Sequence, residues 1–182
     1  PKGLLEVKGE VLIERQIRQL LEAGITEIIV IVGYKADMFR YLEDKFGVTL
    51  VENEDYSIYN NTSSIIRVID RLEDTYICSS DNYFPSNVFL EGAKGSYYSA
   101  LYAEGQTNEY CLSEDTDGNI MAVTVGGHDS WYMLGHVFFS KDLRLYIFVR
   151  PLSAPPIIIG SQASVYLFPS CIYIKLCYSI FR

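Results

Sequence analysis

Residues Glu27–Gly33 read EIIVIVG, a continuous β-branched run, and a strand of that composition has to be buried on both faces. Such burial needs helices above and below the sheet, which narrows the chain to the α/β class. The flanking sequence agrees. Within Val11–Ala23, residues Ile13, Ile17, Leu20 and Leu21 fall at i, i+4, i+7 and i+8 and make one apolar helix face. Gly24 stands where that helix should stop. Ala36–Phe46 predicts a second helix closed by Gly47, Thr49–Glu52 a short strand, and Asn53–Asn61 a polar, Tyr-containing loop. Ser63 or Ser64 can cap a third helix running to about Leu72, with Ile65, Ile66 and Ile69 facing inward. Thr75–Ser79 is again strand-like and stops at Ser80-Asp81-Asn82.

Helix and strand therefore alternate at the spacing of right-handed βαβ units. The expected fold is α/β and Rossmann-like, a mainly parallel sheet with helices on both faces. Beyond Gly95 the pattern changes. Ser96–Ala103, Tyr110–Ser113, Ile120–Val125 and Tyr132–Phe139 read as strands separated by polar turns, a mixed-sheet extension of the first half.

At 182 residues the chain suits one domain with a substantial core. A net charge of −8 argues against nucleic acid as a partner, which needs a basic face to displace counterions. It leaves room for a nucleotide held by a lysine and a metal ion. The four cysteines form no Cys-x-x-Cys pair and lie far from His128 and His136, so neither zinc nor a disulfide scaffold is expected. Cys78 reads as a buried thiol, and a reducing, cytoplasmic setting follows. No signal peptide is visible, and the start at Pro1-Lys2 reads as cut from something longer.

The domain is expected to span residues 1–142. After Asp142 no acidic residue occurs, and residues 143–182 carry four of the six prolines. A membrane span needs roughly 20 apolar residues, and Pro151, Pro155, Pro156, Pro169 and Lys175 interrupt every window. The tail also lacks the caps and amphipathic period of an independent domain. Its composition favours an unrelated continuation, such as an altered reading frame or alternative splice.

In open α/β sheets, ligands bind beyond the carboxyl ends of the strands. Three polar clusters fall there: Gly33-Tyr34-Lys35, the segment from Asn60 to Ser64, and Ser80-Asp81-Asn82. A carboxylate at a strand end suits Mg²⁺, which takes one or two carboxylates plus substrate phosphates. From position alone a plain turn or helix N-cap accounts for Asp81-Asn82 more readily. Asn60-Asn61 equally fits a turn, and Gly33 a strand end. His136 lies in an apolar strand and reads as a core residue, and neither histidine is given a catalytic role. Trp131 and its neighbouring tyrosines could hold a quaternary ammonium by cation–π attraction, with ordinary packing as the plainer account.

The order of the pieces is more specific than any one of them. PKGLLEVKGEVLIERQIRQLLEAGITEIIVIVGYKADMF, NNTSS, ICSSDNYF, TNEY and WYMLGHVFFS together resemble the sugar-phosphate-type nucleotidyltransferases, within them the cytidylyltransferases that use CTP and phosphocholine. The resemblance covers Pro1 to about Asp142. It implies a nucleotide-diphospho-sugar transferase type of fold that couples a nucleoside triphosphate, CTP by preference, to a phosphorylated small molecule and releases pyrophosphate. On that resemblance Lys2 contacts phosphate. Gly33, Tyr34, Asn61, Ser63, Ser64 and Asn82 border the nucleotide, Asp81 binds Mg²⁺, and Tyr110 and Trp131 line the acceptor site. The chemistry is in-line attack on the α-phosphorus, needing no covalent nucleophile.

Two departures bear on activity. The family's Gly-rich loop and its central first strand lie before the Pro-Lys motif, and this sequence starts at Pro1. The second metal-binding aspartate is expected where the acid-free tail stands. The expectation is therefore an impaired catalyst, with a non-catalytic nucleotide-binding or regulatory module as the alternative. A third reading, an unrelated flavodoxin-like domain, expects acidic residues at the first strand's end that the sequence does not supply.

Overall fold

A computed structural model describes residues 1–58, 61–71, 74–90, 92–93, 95–140 and 171–174, the backbone alone at 61–62 and 171–174. A short 3₁₀ turn at Lys2–Leu4 leads into a two-stranded antiparallel ribbon, β1 (Glu6–Val7) and β2 (Glu10–Val11). Then follow α1 (Leu12–Glu22), β3 (Ile28–Val32), α2 (Tyr41–Phe46) and β4 (Thr49–Glu52). The second half holds α3 (Asn61–Ile66), β5 (Thr75–Ser79), β6 (Tyr97–Glu114), β7 (Ile120–Phe139) and β8 (Cys171–Ile174).

Six strands form one sheet in the order β4-β3-β8-β5-β7-β6. β3 runs parallel to β4 and β8, and β5 parallel to β8, while β7 pairs antiparallel with both β5 and β6. The sheet is thus parallel in its first part and mixed in its second, as the alternation implies. β8 was not foreseen. A four-residue segment of the acid-free tail occupies the centre of the sheet, bonded on both edges.

β3 and β5 are buried at every residue. Because side chains alternate along a strand, each feeds two cores. On one face Ile28, Val30 and Val32 pack with Ile13, Ile17 and Leu20 of α1 and with Phe39 and Leu42. On the other, Ile29 and Ile31 pack with Ile77, Val137, Phe139 and Val68, joined by Ile65 of α3. α1 and α2 therefore cover one face and α3 the opposite one.

α1 ends as its sequence suggests. Gly24 takes φ +80°, its N–H donates to Leu21 O at 3.0 Å, and Ile25 N–H donates to Leu20 O at 3.0 Å, which satisfies carbonyls of the last turn. Two expectations need correction. The second helix is divided into a 3₁₀ turn at Ala36–Phe39 and the shorter α2. The third stops at Ile66, and a 3₁₀ turn at Ile69–Arg71 replaces its last part. That break turns Ile69 out to 43% exposure and puts Val68 in the core instead. The four strands expected after Gly95 are merged into β6 and β7, yet the expectation has a physical basis. Cys111 pairs with both Thr124 and Tyr132, so the distal half of the hairpin folds back along β7 through a series of register shifts.

Candidate functional site

The carboxyl end of β5 carries the turn Ser80-Asp81-Asn82. Asn82 N–H closes it on Ser79 O at 3.2 Å. From the start of the chain, the Lys2–Leu4 turn is pressed against it. A Cβ on Gly3 would lie 2.6 Å from Ser80 Oγ, so the backbone there approaches closer than any side chain allows. This contact brings Lys2 Nζ to 3.8 Å from Asp81 Oδ2. The two expected phosphate and metal residues thus meet at one corner, with side chains 56% and 22% exposed. A partly exposed pair of this kind is accessible to a ligand and adds little to stability.

Asn82, expected to border the nucleotide, also has a place in the fold. Its side-chain amide donates to Leu134 O at 2.9 Å, which ties the corner to β7. Gly135, next along that strand, has φ +73°, and a Cβ there would meet Ser79 Oγ at 2.6 Å. The junction of β5 and β7 is therefore closely fitted just below Asp81.

At the end of β3 the space above Gly33 is filled by Tyr56, whose Cβ and Cγ lie 2.8 Å from where a Cβ would stand. Gly33 thus admits a tyrosine of the chain itself. Tyr34 is 49% exposed, and Lys35 Nζ sits 5.3 Å from its ring centroid. Ser63 and Ser64 of α3 are buried, and both hydroxyls accept from Asn53 Nδ2 at 2.9 Å. Asn53 also accepts from Asp55 N–H at 3.1 Å through its side-chain oxygen. Its backbone N–H donates to Val32 O at 2.8 Å. The residue therefore binds the end of β3 to the start of α3. In the sequence it is one position of a polar loop with nothing local to mark it, although an amide side chain can donate and accept at once. The side chain of Asn61 lies outside the described residues.

Trp131 on β7 is 49% exposed. Its aromatic neighbour is Tyr102, edge-on at 5.3 Å between centroids, and the two are paired across β6 and β7. Tyr110, the other residue expected at the acceptor site, pairs with Val125 and is 39% exposed, and its neighbour Cys111 pairs with Tyr132, next to Trp131. His136 lies in the core, as its apolar strand implies. Tyr76, Phe84, Phe89 and Tyr97 surround it, and burial lowers its pKa to about 4. His128 is exposed beside Asp129, with Nδ1 to Oδ2 at 2.8 Å. Cys78 is fully buried.

Among the described residues no group of three His, Cys, Asp or Glu side chains converges as a metal cage, and no helix is long and apolar enough to cross a membrane. A single hard carboxylate oxygen at an accessible strand end still fits Mg²⁺, whose remaining ligands are commonly water and substrate phosphate. The corner can therefore gather anionic oxygens around one carboxylate-held cation and one ammonium.

Comparison with known proteins gives the family. Residues 1–94 match the model of the MobA-like NTP transferase domain. The chain is 41% identical over 125 residues to choline-phosphate cytidylyltransferase of Streptococcus pneumoniae, covering 69% of this chain and 55% of that protein. It is 37% identical over 144 residues to 2-aminoethylphosphonate cytidylyltransferase of Lancefieldella rimae, covering 77% and 58%. The chain thus spans somewhat more than half the length of these relatives. Among solved structures it is similar to CTP:phosphocholine cytidylyltransferase from Streptococcus pneumoniae (LicC), with a TM-score of 0.73 and 37% identity over 78% of this chain and 62% of that one.

Proposed function

Since the chain belongs to the MobA-like NTP transferase family, we propose that its Lys2–Asp81 corner serves cytidylyl transfer from CTP to a small phosphorylated or phosphonylated amine, releasing pyrophosphate. The observation that carries this reading is the 3.8 Å approach of Lys2 Nζ to Asp81 Oδ2 at the carboxyl end of β5. The relatives supply the substrate class: their names specify choline phosphate and 2-aminoethylphosphonate.

The reaction joins an oxygen of the acceptor's phosphate or phosphonate to the α-phosphorus of CTP as the bond to pyrophosphate breaks. Attacking and leaving groups are both anionic, so positioning and charge neutralisation dominate. Lys2 is a compact cation suited to the triphosphate. Asp81 would hold Mg²⁺, which when bound offsets phosphate charge. On the same reading Gly33 and the Asn61–Ser64 segment border the base through their backbone, since Tyr56 fills the space above Gly33 and the Ser63 and Ser64 hydroxyls are bonded to Asn53. The exposed Tyr34 borders it through its ring. Trp131, with Tyr102 at its edge, offers an aromatic face to the acceptor's cationic end.

The test is pyrophosphate release from CTP with Mg²⁺ and either phosphocholine or 2-aminoethylphosphonate. Release that disappears in Asp81→Ala supports the proposal. Saturable CTP binding with no release on either acceptor replaces it by a non-catalytic nucleotide-binding module.

A further inference from the structure

The buried side of α1 is not purely apolar. Gln16 has 0% exposure and Gln19 has 6%, among Ile13, Ile17 and Leu20. A buried amide is costly unless its donors are used. Gln16 uses its donor nitrogen in one place. Nε2 donates to Ser79 O at 2.9 Å and to Asn82 O at 2.7 Å. These carbonyls stand on either side of Ser80-Asp81, so one amide clasps both ends of the turn that carries the carboxylate. Its Oε1 is buried without a partner among the described residues, so what places the side chain there is the donation to the turn. Gln19, by contrast, donates to Phe84 O at 3.1 Å, beyond the turn.

From this juxtaposition we propose that Gln16 is a positioning residue for the metal corner: it holds the Asp81 carboxylate where a phosphate-bound divalent cation can take it. The inference rests on the proposed nucleotide site. It adds a residue that does not itself reach the ligand and acts through the backbone on both sides of Asp81. Three other constraints act on the same turn. These are Gly3 against Ser80, the Asn82 side chain on Leu134 O, and the Asn82 N–H on Ser79 O. Of the bonds described, those of Gln16 alone bind both ends of the turn to the body of α1.

The experiment titrates the full 182-residue chain with CTP at graded Mg²⁺ concentrations, following binding by calorimetry. Gln16→Met removes both donors at similar volume. The Mg²⁺ concentration for half-maximal CTP binding should rise on the order of tenfold, with CTP affinity recovered at saturating Mg²⁺. Gln19→Met loses a bond from an equally interior amide of the same helix and should leave the Mg²⁺ requirement unchanged. Gln16→Leu, which likewise removes both donors without adding a charge, serves if the methionine variant does not fold. An unchanged Mg²⁺ requirement in the Gln16 variant overturns the proposal, and so does an equal rise in Gln19→Met, which marks general loosening. Failure of the nucleotide-site reading looks different: wild-type binding is then indifferent to Mg²⁺, Asp81→Ala behaves as wild type, and both inferences fall together.

Discussion

Lys2 Nζ lies 3.8 Å from Asp81 Oδ2, an ion pair that joins the first turn of the chain to the carboxyl end of β5. With side chains 56% and 22% exposed, the pair is solvated enough to contribute at most about 1 kcal/mol to the fold. Its placement therefore leaves both groups accessible while adding little to stability. Asp81→Ala and Lys2→Ala should each unfold in urea within about 1 kcal/mol of the wild type, while both lose Mg²⁺-dependent CTP binding. A variant that binds CTP normally, or one that is strongly destabilised, contradicts this division of roles.

Asn53 makes the opposite case. Its buried amide donates to Ser63 Oγ and Ser64 Oγ and accepts from Asp55 N–H. Asn53→Ala would remove these three hydrogen bonds at roughly 1 kcal/mol apiece. The expected loss is about 2 to 4 kcal/mol in urea unfolding. The α3 segment it fastens should loosen with it, seen as faster amide exchange at Ile65 and Ile66. Asn53→Asp keeps the acceptor for Asp55 N–H and lets both serine hydroxyls donate in place of accepting, so the alanine variant is the one that decides: if it is as stable as the wild type, these contacts carry no stability.

Which features could be seen in the sequence follows from how far their causes reach along the chain. β3 and α1 were legible because their burial is written in local period, and Gly24 because a left-handed residue must follow the last turn. The Asp81 corner was legible as an ordered set of motifs, though not its contact with Lys2, which depends on Gly3 packing against Ser80. Gln16 was hidden for the converse reason. A polar residue on an apolar face looks like noise until the carbonyls it meets, far away in sequence, are known. The same holds for Glu14, which is buried yet receives Lys45 at 2.7 Å and Tyr41 at 3.0 Å from α2. Burial pushes its pKa up, and the hydrogen bonds from Lys45 and Tyr41 together with the charges of Lys45 and Arg18 bring it below the ordinary value. The doubled pairing of Cys111 and the central place of β8 depend on which strand edges meet, and no local pattern records that.

His136 should make stability depend on pH. Its imidazole is enclosed by the rings of Tyr76, Phe84, Phe89 and Tyr97. Its Nδ1 lies 3.0 Å from Ser99 Oγ, and Nε2 is buried without a partner among the described residues. Burial lowers its pKa from 6.5 to about 4. The folded state therefore resists a proton that the unfolded chain takes up readily. Stability is unaffected by this group above pH 6.5, falls as pH drops towards 4, and levels off below. The full loss is on the order of 3 kcal/mol. Thermal midpoints measured across that window should show the decline, and His136→Phe, which keeps an aromatic ring among the others, should flatten it. Equal slopes in the two proteins would assign the acid sensitivity to other groups.

Trp131 provides the sharpest separation of acceptor from nucleotide. It is 49% exposed on β7, edge-on to Tyr102 at 5.3 Å, and packs too little surface to matter greatly for folding. An aromatic face attracts a quaternary ammonium by about 1 to 2 kcal/mol when water is excluded. Losing it should raise the phosphocholine concentration for half-maximal binding roughly five- to thirtyfold. Trp131→Leu keeps an apolar side chain but removes the π face, so the loss isolates the cation–π contribution from simple burial. On the proposed reading, which puts CTP at the Lys2–Asp81 corner, CTP affinity should stay at the wild-type value. Titration of the variant with each ligand separately decides the matter: a parallel loss of both would mean that Trp131 supports the fold of the site, and an unchanged phosphocholine affinity would move the acceptor elsewhere.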